Sequence, residues 1–329
     1  MMNFDQLFEL FSGTKVAVVG DVMLDTYMWG HVERISPEAP VPVVALDKRE
    51  QRLGGAANVA LNLVSLGANV AMFSVIGKDD DGVLLKQRFS EEGISDAYLL
   101  SSERRITTNK SRVIARNQQM LRLDAEMTDD LAAEDEQLLI EAVKRYIKDE
   151  KPKLLIFEDY NKGVLTEKVI GALIELCKQQ EVITAVDPKR KNFFTYKGVT
   201  IFKPNLKEVT EAFHLINAEV NAIALQNIHS LLKQQLQHEL SFITLSEKGV
   251  FYNDPIVSRI IPSHLRNIAD VSGAGDTVIA VASLLYAVTG DVHLMAEVAN
   301  IAGGLVCEEV GTVAINKERL LEECKLLLN

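Results

Sequence analysis

The sequence predicts an α/β protein: a doubly wound, mostly parallel sheet with helices on both faces, and a second, smaller sheet beside it. Three observations carry this. Short continuous apolar runs that end in glycine or a carboxylate, such as Lys15–Gly20 and Lys153–Glu158, read as strands buried on both faces. Segments of helical period alternate with such runs along the whole chain, which is the rhythm of β–α–β units. A third class, Tyr27–Ile35, Val41–Leu46 and Thr107–Asp124, alternates apolar and polar residues, and Pro37 and Pro40 separate the first two, as suits exposed strands outside the central sheet.

Composition sets the bounds. The chain has 329 residues, 47% of them apolar, enough for a large core. A net charge of −11 excludes a nucleic-acid footprint or an anionic membrane surface, and no apolar run reaches membrane-spanning length. Cys177, Cys307 and Cys324 are unclustered, which suits a reducing compartment without disulfides. Residues 1–13 carry Asp5 and Glu9 and lack the basic start of a secretion signal, so a soluble cytoplasmic protein is expected. The histidines show no metal-ligand spacing. Gly77-Lys78 is followed by Asp79 and no G-x-G-x-x-G is present, so any nucleotide is held by neither a P-loop nor a dinucleotide fingerprint.

Taken in order, Lys15–Gly20 delivers Asp21 and Asp25 to a strand's C-terminal edge, where open α/β sheets bind ligands. The paired oxygens of Asp25 suit two ligand hydroxyls; either aspartate could instead cap a turn. Leu53–Leu66 reads as a glycine-led helix with Ala57, Ala60, Leu61 and Val64 on its packed face. Gly54 and Gly55 open the backbone either to a ligand or to close helix–strand packing, and Asn58, one turn in, can donate and accept hydrogen bonds. Asn69–Gly77 is the next strand and Asp81–Gly93 an amphipathic helix.

Thr107–Asp124 reads as two strands meeting near Asn117. Lys110 and Arg112 share one face by period, either a solvated face or, in so acidic a chain, a grip on a phosphate. Ala132–Lys148 is a long helix, and Lys153–Glu158 brings Asp159, Tyr160 and Lys162 to another strand edge. Helix Thr166–Gln179, strand Val182–Asp187 and strand Thr200–Lys203 repeat the rhythm. Asn205 and Glu208 then sit i, i+3 at a helix start, as a plain capping box or as organisers of a hydrated divalent cation. Leu240–Leu245 turns through Ser246–Gly249 into Val250–Asn253, and Val292–Cys307 and Lys317–Leu328 are helices. Internal repeats and long linkers are absent.

Chemistry concentrates in Asp270–Thr277 (DVSGAGDT), which feeds the apolar run Val278–Val288. Gly273, Ala274 and Gly275 leave backbone N–H groups accessible at the positive end of a helix, which makes an anion site. Asp276 either caps that helix or accepts a proton from an attacking hydroxyl.

This octet resembles the C-terminal signature of the ribokinase-like (PfkB-type) carbohydrate kinases, in which its last aspartate is the catalytic base. Gly54–Ala60 (GGAANVA) resembles a second block of that family, and Glu158–Gly163 and Asn205–Glu208 two more. Gly20–Asp25, Arg34–Val44, Thr108-Lys110-Arg112 and Gln118-Gln119-Arg122-Asp124 look like the D-glycero-β-D-manno-heptose 7-phosphate kinases, which act in ADP-heptose synthesis for lipopolysaccharide core. The resemblance runs from residue 15 to about 313.

What it implies is a single ribokinase-like domain over 1–329, with a lid inserted from about 26–48 and 104–125. The lid would cover the sugar and join two subunits as a homodimer. The reaction would be MgATP-dependent phosphorylation of the C1 hydroxyl of D-glycero-D-manno-heptose 7-phosphate to the 1,7-bisphosphate. Asp276 would be the base, kept ionised and weakly basic by the helix N-terminus, with Gly273, Ala274 and Gly275 as the anion hole. ATP would lie near Lys189, Asn205, Glu208, Ser246, Gly249 and Asn300. The sugar phosphate would meet Asp25, Gly54, Gly55, Asn58, Lys110, Arg112, Asp159, Tyr160 and Lys162, with Arg112 contributing most through its planar fork. Mg²⁺ would be held through water by Asn205 and Glu208, and the family leaves room for K⁺ near Asp270 and Ser272. Two departures stand out: Ser246 replaces the middle glycine of the family's T-x-G-x-x-G, and Ser272 its commoner threonine. With no nucleotidyltransferase region in the chain, a stand-alone kinase is expected. The rival readings are a kinase of another sugar and a catalytically silent sugar-binding module.

Overall fold

Side chains on the first strand already show that the central sheet is covered on both sides. In β1 (Lys15–Gly20), Val16 and Val18 enter one hydrophobic core while Ala17 and Val19 enter the other. The computed structural model describes residues 3–116, 118–215 and 220–328; the predicted turn at Asn117 lies outside them.

Helix α1 (Phe4–Glu9) precedes β1, and β2 (Val22–Ile35), β3 (Pro42–Gly55), α2 (Ala56–Ser65), β4 (Asn69–Gly77) and α3 (Asp80–Glu91) follow it. Next come β5 (Leu99–Ser102), β6 (Thr108–Ala115), β7 (Gln118–Ala125), α4 (Ala133–Glu150), β8 (Leu154–Glu158), α5 (Glu167–Gln179), β9 (Ile183–Asp187) and β10 (Ile201–Phe202). The remainder is α6 (Leu206–Ala212), α7 (Ala222–Leu236), β11 (Leu240–Thr244), β12 (Val250–Asn253), β13 (Ser258–Ile261), α8 (Ala274–Thr289), α9 (Val292–Val306) and α10 (Lys317–Leu327).

The nine-stranded sheet has the order β13-β12-β11-β10-β9-β8-β1-β4-β5. It is parallel except for the β11–β12–β13 edge. One face is covered by α1, α2, α8, α9 and α10, the other by α4, α5 and α7. This is the predicted doubly wound architecture. Among the described residues no helix is long and apolar enough to cross a membrane.

A second sheet has the order β3-β2-β6-β7. β2 pairs antiparallel with β3 and parallel with β6, so that Tyr27 faces Arg112 in register. It is larger than predicted, spanning 22–55 and 108–125. Gly54 and Gly55 end β3 rather than opening the next helix as expected. Gly55 has φ +59 and a Cβ there would meet the Asp21 carbonyl oxygen at 2.5 Å, so α2 starts one residue later, at Ala56. The helix α1, strands β5 and β13 and helix α7 had no counterpart in the sequence reading. In α7 the packed positions Leu225, Ile228, Leu232 and Leu236 keep helical spacing, but polar residues crowd between them.

Candidate active site

The C-terminal ends of β8 and β9 meet α8, and Gly275 in its first turn approaches Asp187 at the end of β9. Gly273 caps that helix with φ +78, and a Cβ on it would come within 2.7 Å of the Asn58 amide nitrogen. The turn therefore lies directly on α2. Two predicted residues converge on Asp276: Asn58 Nδ2 donates to Oδ2 at 2.8 Å and the Tyr160 hydroxyl to Oδ1 at 2.6 Å. Asn62 holds Asn58 in place by donating to its carbonyl oxygen at 2.8 Å. Asp276 is 3% exposed. Burial pushes its carboxyl up to about 6, against the two donors that favour the charged form. The weakly basic aspartate expected from the helix N-terminus is therefore corrected: desolvation outweighs the Tyr160 and Asn58 hydrogen bonds.

The anion hole is narrower than predicted. The Ala274 N–H is spent on the Val271 carbonyl oxygen at 3.3 Å, because the chain doubles back in a turn there. The N–H groups of Gly273 and Gly275 have no hydrogen-bond partner among the described residues. A Cβ on Gly275 would lie 3.5 Å from Asp187 Oδ2, so the helix start rests on a buried ion pair. In that pair Lys203 meets Asp187 at 2.7 Å, and Lys189 bridges Asp187 at 3.2 Å and Glu208 at 2.7 Å. Neither Asp187 nor Lys203 was singled out from the sequence; the available signal was a charged residue directly after each short apolar strand. Burial opposes ionisation of both partners, yet Asp187 stays below the usual carboxylate range and Lys189 rises above the usual amine range, because each faces opposite charge.

Asn205 and Glu208 form the complete capping box: Asn205 Oδ1 accepts from the Glu208 N–H and Glu208 Oε2 from the Asn205 N–H, both at 2.8 Å. At the end of β8, near Asp187 and Asp276, Glu158 is fully buried and neither carboxylate oxygen has a hydrogen-bond partner among the described residues. Burial, then Asp187 and Asp276, hold Glu158 well above the usual carboxylate range. Asp187, Glu208 and Asp276 thus gather with two lysines, and Glu158, held toward its neutral form, adds acceptor oxygens, a donor set that fits a divalent cation. No three of them stand close enough to ligate one directly, which suits an ion bound mainly through water and phosphate.

A second cluster lies at the root of the smaller sheet. Asp25 Oδ1 accepts from Arg112 at 2.5 Å and its Oδ2 from the Thr312 hydroxyl at 3.3 Å. The Arg112 guanidinium also lies over the Tyr27 ring, 5.2 Å from its centroid. A Cβ on Gly54 would meet Asp25 Oδ2 at 2.3 Å, so Gly54 packs closely against the neighbouring strand β2 rather than against a helix. Lys110 behaves differently from Arg112. Its ammonium stands 5.4 Å from the centroid of the Tyr160 ring and has no ion-pair partner among the described residues. Burial and nearby Lys162 hold it below the usual amine range. Lys162 itself pairs with Glu126 at 2.7 Å.

Other predicted residues point elsewhere. Asp159 is buried away from this cluster, accepting from the Tyr196 hydroxyl at 2.7 Å and Asn192 Nδ2 at 3.1 Å, so it braces the loop after β8. Asp21 does the same work from β1, accepting from the N–H groups of Tyr160, Lys162 and Val164. Gly249 is required by its own turn: with φ +95, a Cβ would meet the Ile261 carbonyl oxygen at 2.0 Å. Ser246 is exposed at that turn, and Asn300 Nδ2 donates to the Pro262 carbonyl oxygen at 2.9 Å. Both oxygens of Asp270 are taken, Oδ1 by the Ser272 N–H and hydroxyl, Oδ2 by the Gly311 N–H.

The pfkB family carbohydrate kinase profile matches residues 13–319. The chain belongs to this family. It is a sugar kinase, a phosphotransferase acting on a sugar hydroxyl, and the family implies ATP and a divalent metal. Among relatives of this kinase is the Bifunctional protein HldE of Campylobacter curvus, 39% identical over 302 residues that cover 92% of this chain and 63% of that protein. The Bifunctional protein HldE of Nitratiruptor sp. is 41% identical over 311 residues, 94% of this chain and 64% of that protein. The kinase thus spans just under two thirds of the length of these curated relatives. Its fold is that of phosphofructokinase-2 from Escherichia coli, solved in complex with potassium, at TM-score 0.78 and 15% identity over 96% of this chain and 100% of that one. Arabidopsis thaliana ribokinase, complexed with ribose and ATP, superposes at TM-score 0.72 and 15% identity over 94% and 99% of the two chains. Where a monovalent cation is expected, beside Asp270 and Ser272, both Asp270 oxygens accept hydrogen bonds within the chain.

Proposed function

We propose that this kinase phosphorylates the C1 hydroxyl of D-glycero-D-manno-heptose 7-phosphate from MgATP, giving the 1,7-bisphosphate for ADP-heptose synthesis. The observation that carries this reading is the line Asp276–Tyr160–Lys110. The carboxylate holds the Tyr160 hydroxyl, and a half-buried ammonium with no ion-pair partner among the described residues stands over the same ring. A sugar lying along it would offer one end to the base and a distal phosphate to Lys110. The heptose itself rests on the resemblance of Arg34–Val44 and Thr108–Arg112, and on relatives named HldE. In this reading the domain is single, and the sheet spanning 22–55 and 108–125 is its lid.

Asp276 takes the proton of the attacking hydroxyl, late in a loose transition state in which positioning dominates. The N–H groups of Gly273 and Gly275 hold the transferring phosphoryl group, and Lys189 faces the nucleotide phosphates. Asn205, Glu208 and Asp187 are the residues that would hold a hydrated magnesium ion, which would supply neutralisation of phosphate charge. An ATP-coupled assay over a panel of sugar phosphates, with the phosphorylated carbon read by NMR, tests the assignment. Phosphorylation of ribose or fructose 6-phosphate in preference to the heptose would overturn it.

The distal anion should depend on Lys110 more than on Arg112, which is committed to Asp25 and Tyr27. Lys110→Ala is expected to raise KM for the sugar phosphate about 10- to 100-fold, the effect of one charged hydrogen-bond partner, and leave KM for ATP nearly unchanged. A lost ATP affinity with an intact sugar KM would assign the cation to the nucleotide.

The pH profile follows from the base. With its carboxyl raised to about 6, Asp276 is ionised above that pH and protonated below it, so kcat should fall as pH drops through about 6. Tyr160→Phe removes a donor that favours the ionised form, and should move this acid limb to higher pH. An unmoved limb would show that the hydroxyl bond is incidental.

The lid should also make a homodimer. Leu121 and Leu123 of the edge strand β7 and Ile35 and Leu46 of β2 and β3 are all more than half exposed. Sedimentation of the wild type at micromolar concentration should give a dimer, and Leu121→Lys combined with Leu123→Lys a monomer.

A further inference from the structure

Arg52 lies on β3 opposite Asp25, and its guanidinium is fixed on three sides. Nε donates to Glu50 at 2.6 Å, and the group lies over the Tyr27 ring at 5.1 Å from its centroid. Nη1 donates to two carbonyl oxygens, those of Val310 at 2.8 Å and Thr312 at 3.1 Å. Two carbonyls turned toward one point in the loop after a helix make a seat for a small cation. The residue between them, Gly311, gives its N–H to Asp270 Oδ2 at 2.9 Å. Asp270 in turn holds Ser272, the residue before the Gly273 cap of α8. Thr312 ties the same loop to Asp25 and Tyr27.

We propose that Arg52 is the chain's own replacement for a monovalent cation: its guanidinium fills the carbonyl seat of the 310–312 loop, so the kinase turns over without potassium. Arginine does not lose its proton, so the charge is present in any medium. Through Gly311, Asp270 and Ser272 it is a positioning residue for the first-turn amides of α8. Through Tyr27 and Asp25 it links that turn to the smaller sheet. Which sugar is phosphorylated does not enter; any sugar phosphate the enzyme accepts serves as assay substrate.

The test compares turnover in tetramethylammonium buffer with and without KCl, using NaCl as the ionic-strength control. Wild type should respond to KCl no more than to NaCl. Arg52→Ala should lose about tenfold or more in kcat, as expected for a missing charged hydrogen-bond partner, and recover a large part in KCl or guanidinium chloride. Arg52→Lys, which keeps the charge without the fork, should fall between. Thermal melting supplies a readout independent of turnover: KCl should raise the midpoint of Arg52→Ala over its NaCl value, and not that of wild type. A wild type that needs potassium, or is specifically stabilised by it, overturns the proposal even if Arg52→Ala does not fold. So does an Arg52→Ala enzyme that is fully active without potassium, or one whose loss no cation restores.

Discussion

Asp276→Asn is expected to lower kcat by about 10²–10⁴-fold, the range for removing a general base. The substitution should leave the architecture intact. The Tyr160 hydroxyl, which donates to Asp276 Oδ1, can turn and accept from an amide in its place, while Asn58 keeps its acceptor on the other side. Nucleotide affinity should hardly change, because Lys189 and the capping box lie on other elements. Calorimetric titration with ADP, circular dichroism and a coupled assay together separate these effects. Near-wild-type turnover from a folded variant would falsify the base assignment.

The largest stability effect should come from Lys203, which is 2% exposed and pairs with Asp187 at 2.7 Å. Lys203→Ala leaves Asp187 only its longer contact to Lys189, at 3.2 Å, beside Glu158 and Asp276, so the loss should approach but not reach the roughly 3–5 kcal/mol of a fully broken buried pair. Urea unfolding should show it as a lower midpoint. Adding Asp187→Asn to Lys203→Ala should recover part of that loss, since the under-compensated charge is gone, although Lys189 then loses one of its two carboxylate partners. Lys189→Ala should destabilise less, because Lys189 is partly exposed, while weakening nucleotide binding more. Equal losses from the two lysines would mean that the buried pair has no special standing.

Much of this was legible in the sequence wherever the signal was local. Strand ends at Gly20, Gly77, Glu158 and Asp187 followed from apolar runs that stop at a glycine or a carboxylate. The turn at Gly273 followed from small residues before an apolar helix, and the shared strand of Lys110 and Arg112 from period two. What stayed hidden was pairing between distant residues. Asn58 meets Asp276 across 218 positions and Tyr160 meets it across 116, and no periodicity encodes such a contact. Arg112 was favoured over Lys110 for its fork, but the fork closes on Asp25, 87 positions away, and leaves the lysine available. Gly54 and Gly55 were assigned to the helix because glycine carries no side chain to show which period it obeys.

The parallel pairing of β2 with β6 also orders events in time. Tyr27 cannot meet Arg112 until α2, β4, α3 and β5 have been made, and the carbonyls that Arg52 grips lie near the end of the chain, at Val310 and Thr312. Synthesis runs from the N-terminus at about 5–20 residues per second, so a growing chain carries every strand of the nine-stranded sheet, the last ending at Ile261, for some seconds before its smaller sheet is anchored. During that interval Asp25, Tyr27 and Arg52 are already made, but their partners at 310–312 are not. Ribosome-bound chains stopped before residue 310 should therefore be cut by protease within 22–55 and be protected there once the last loop is released.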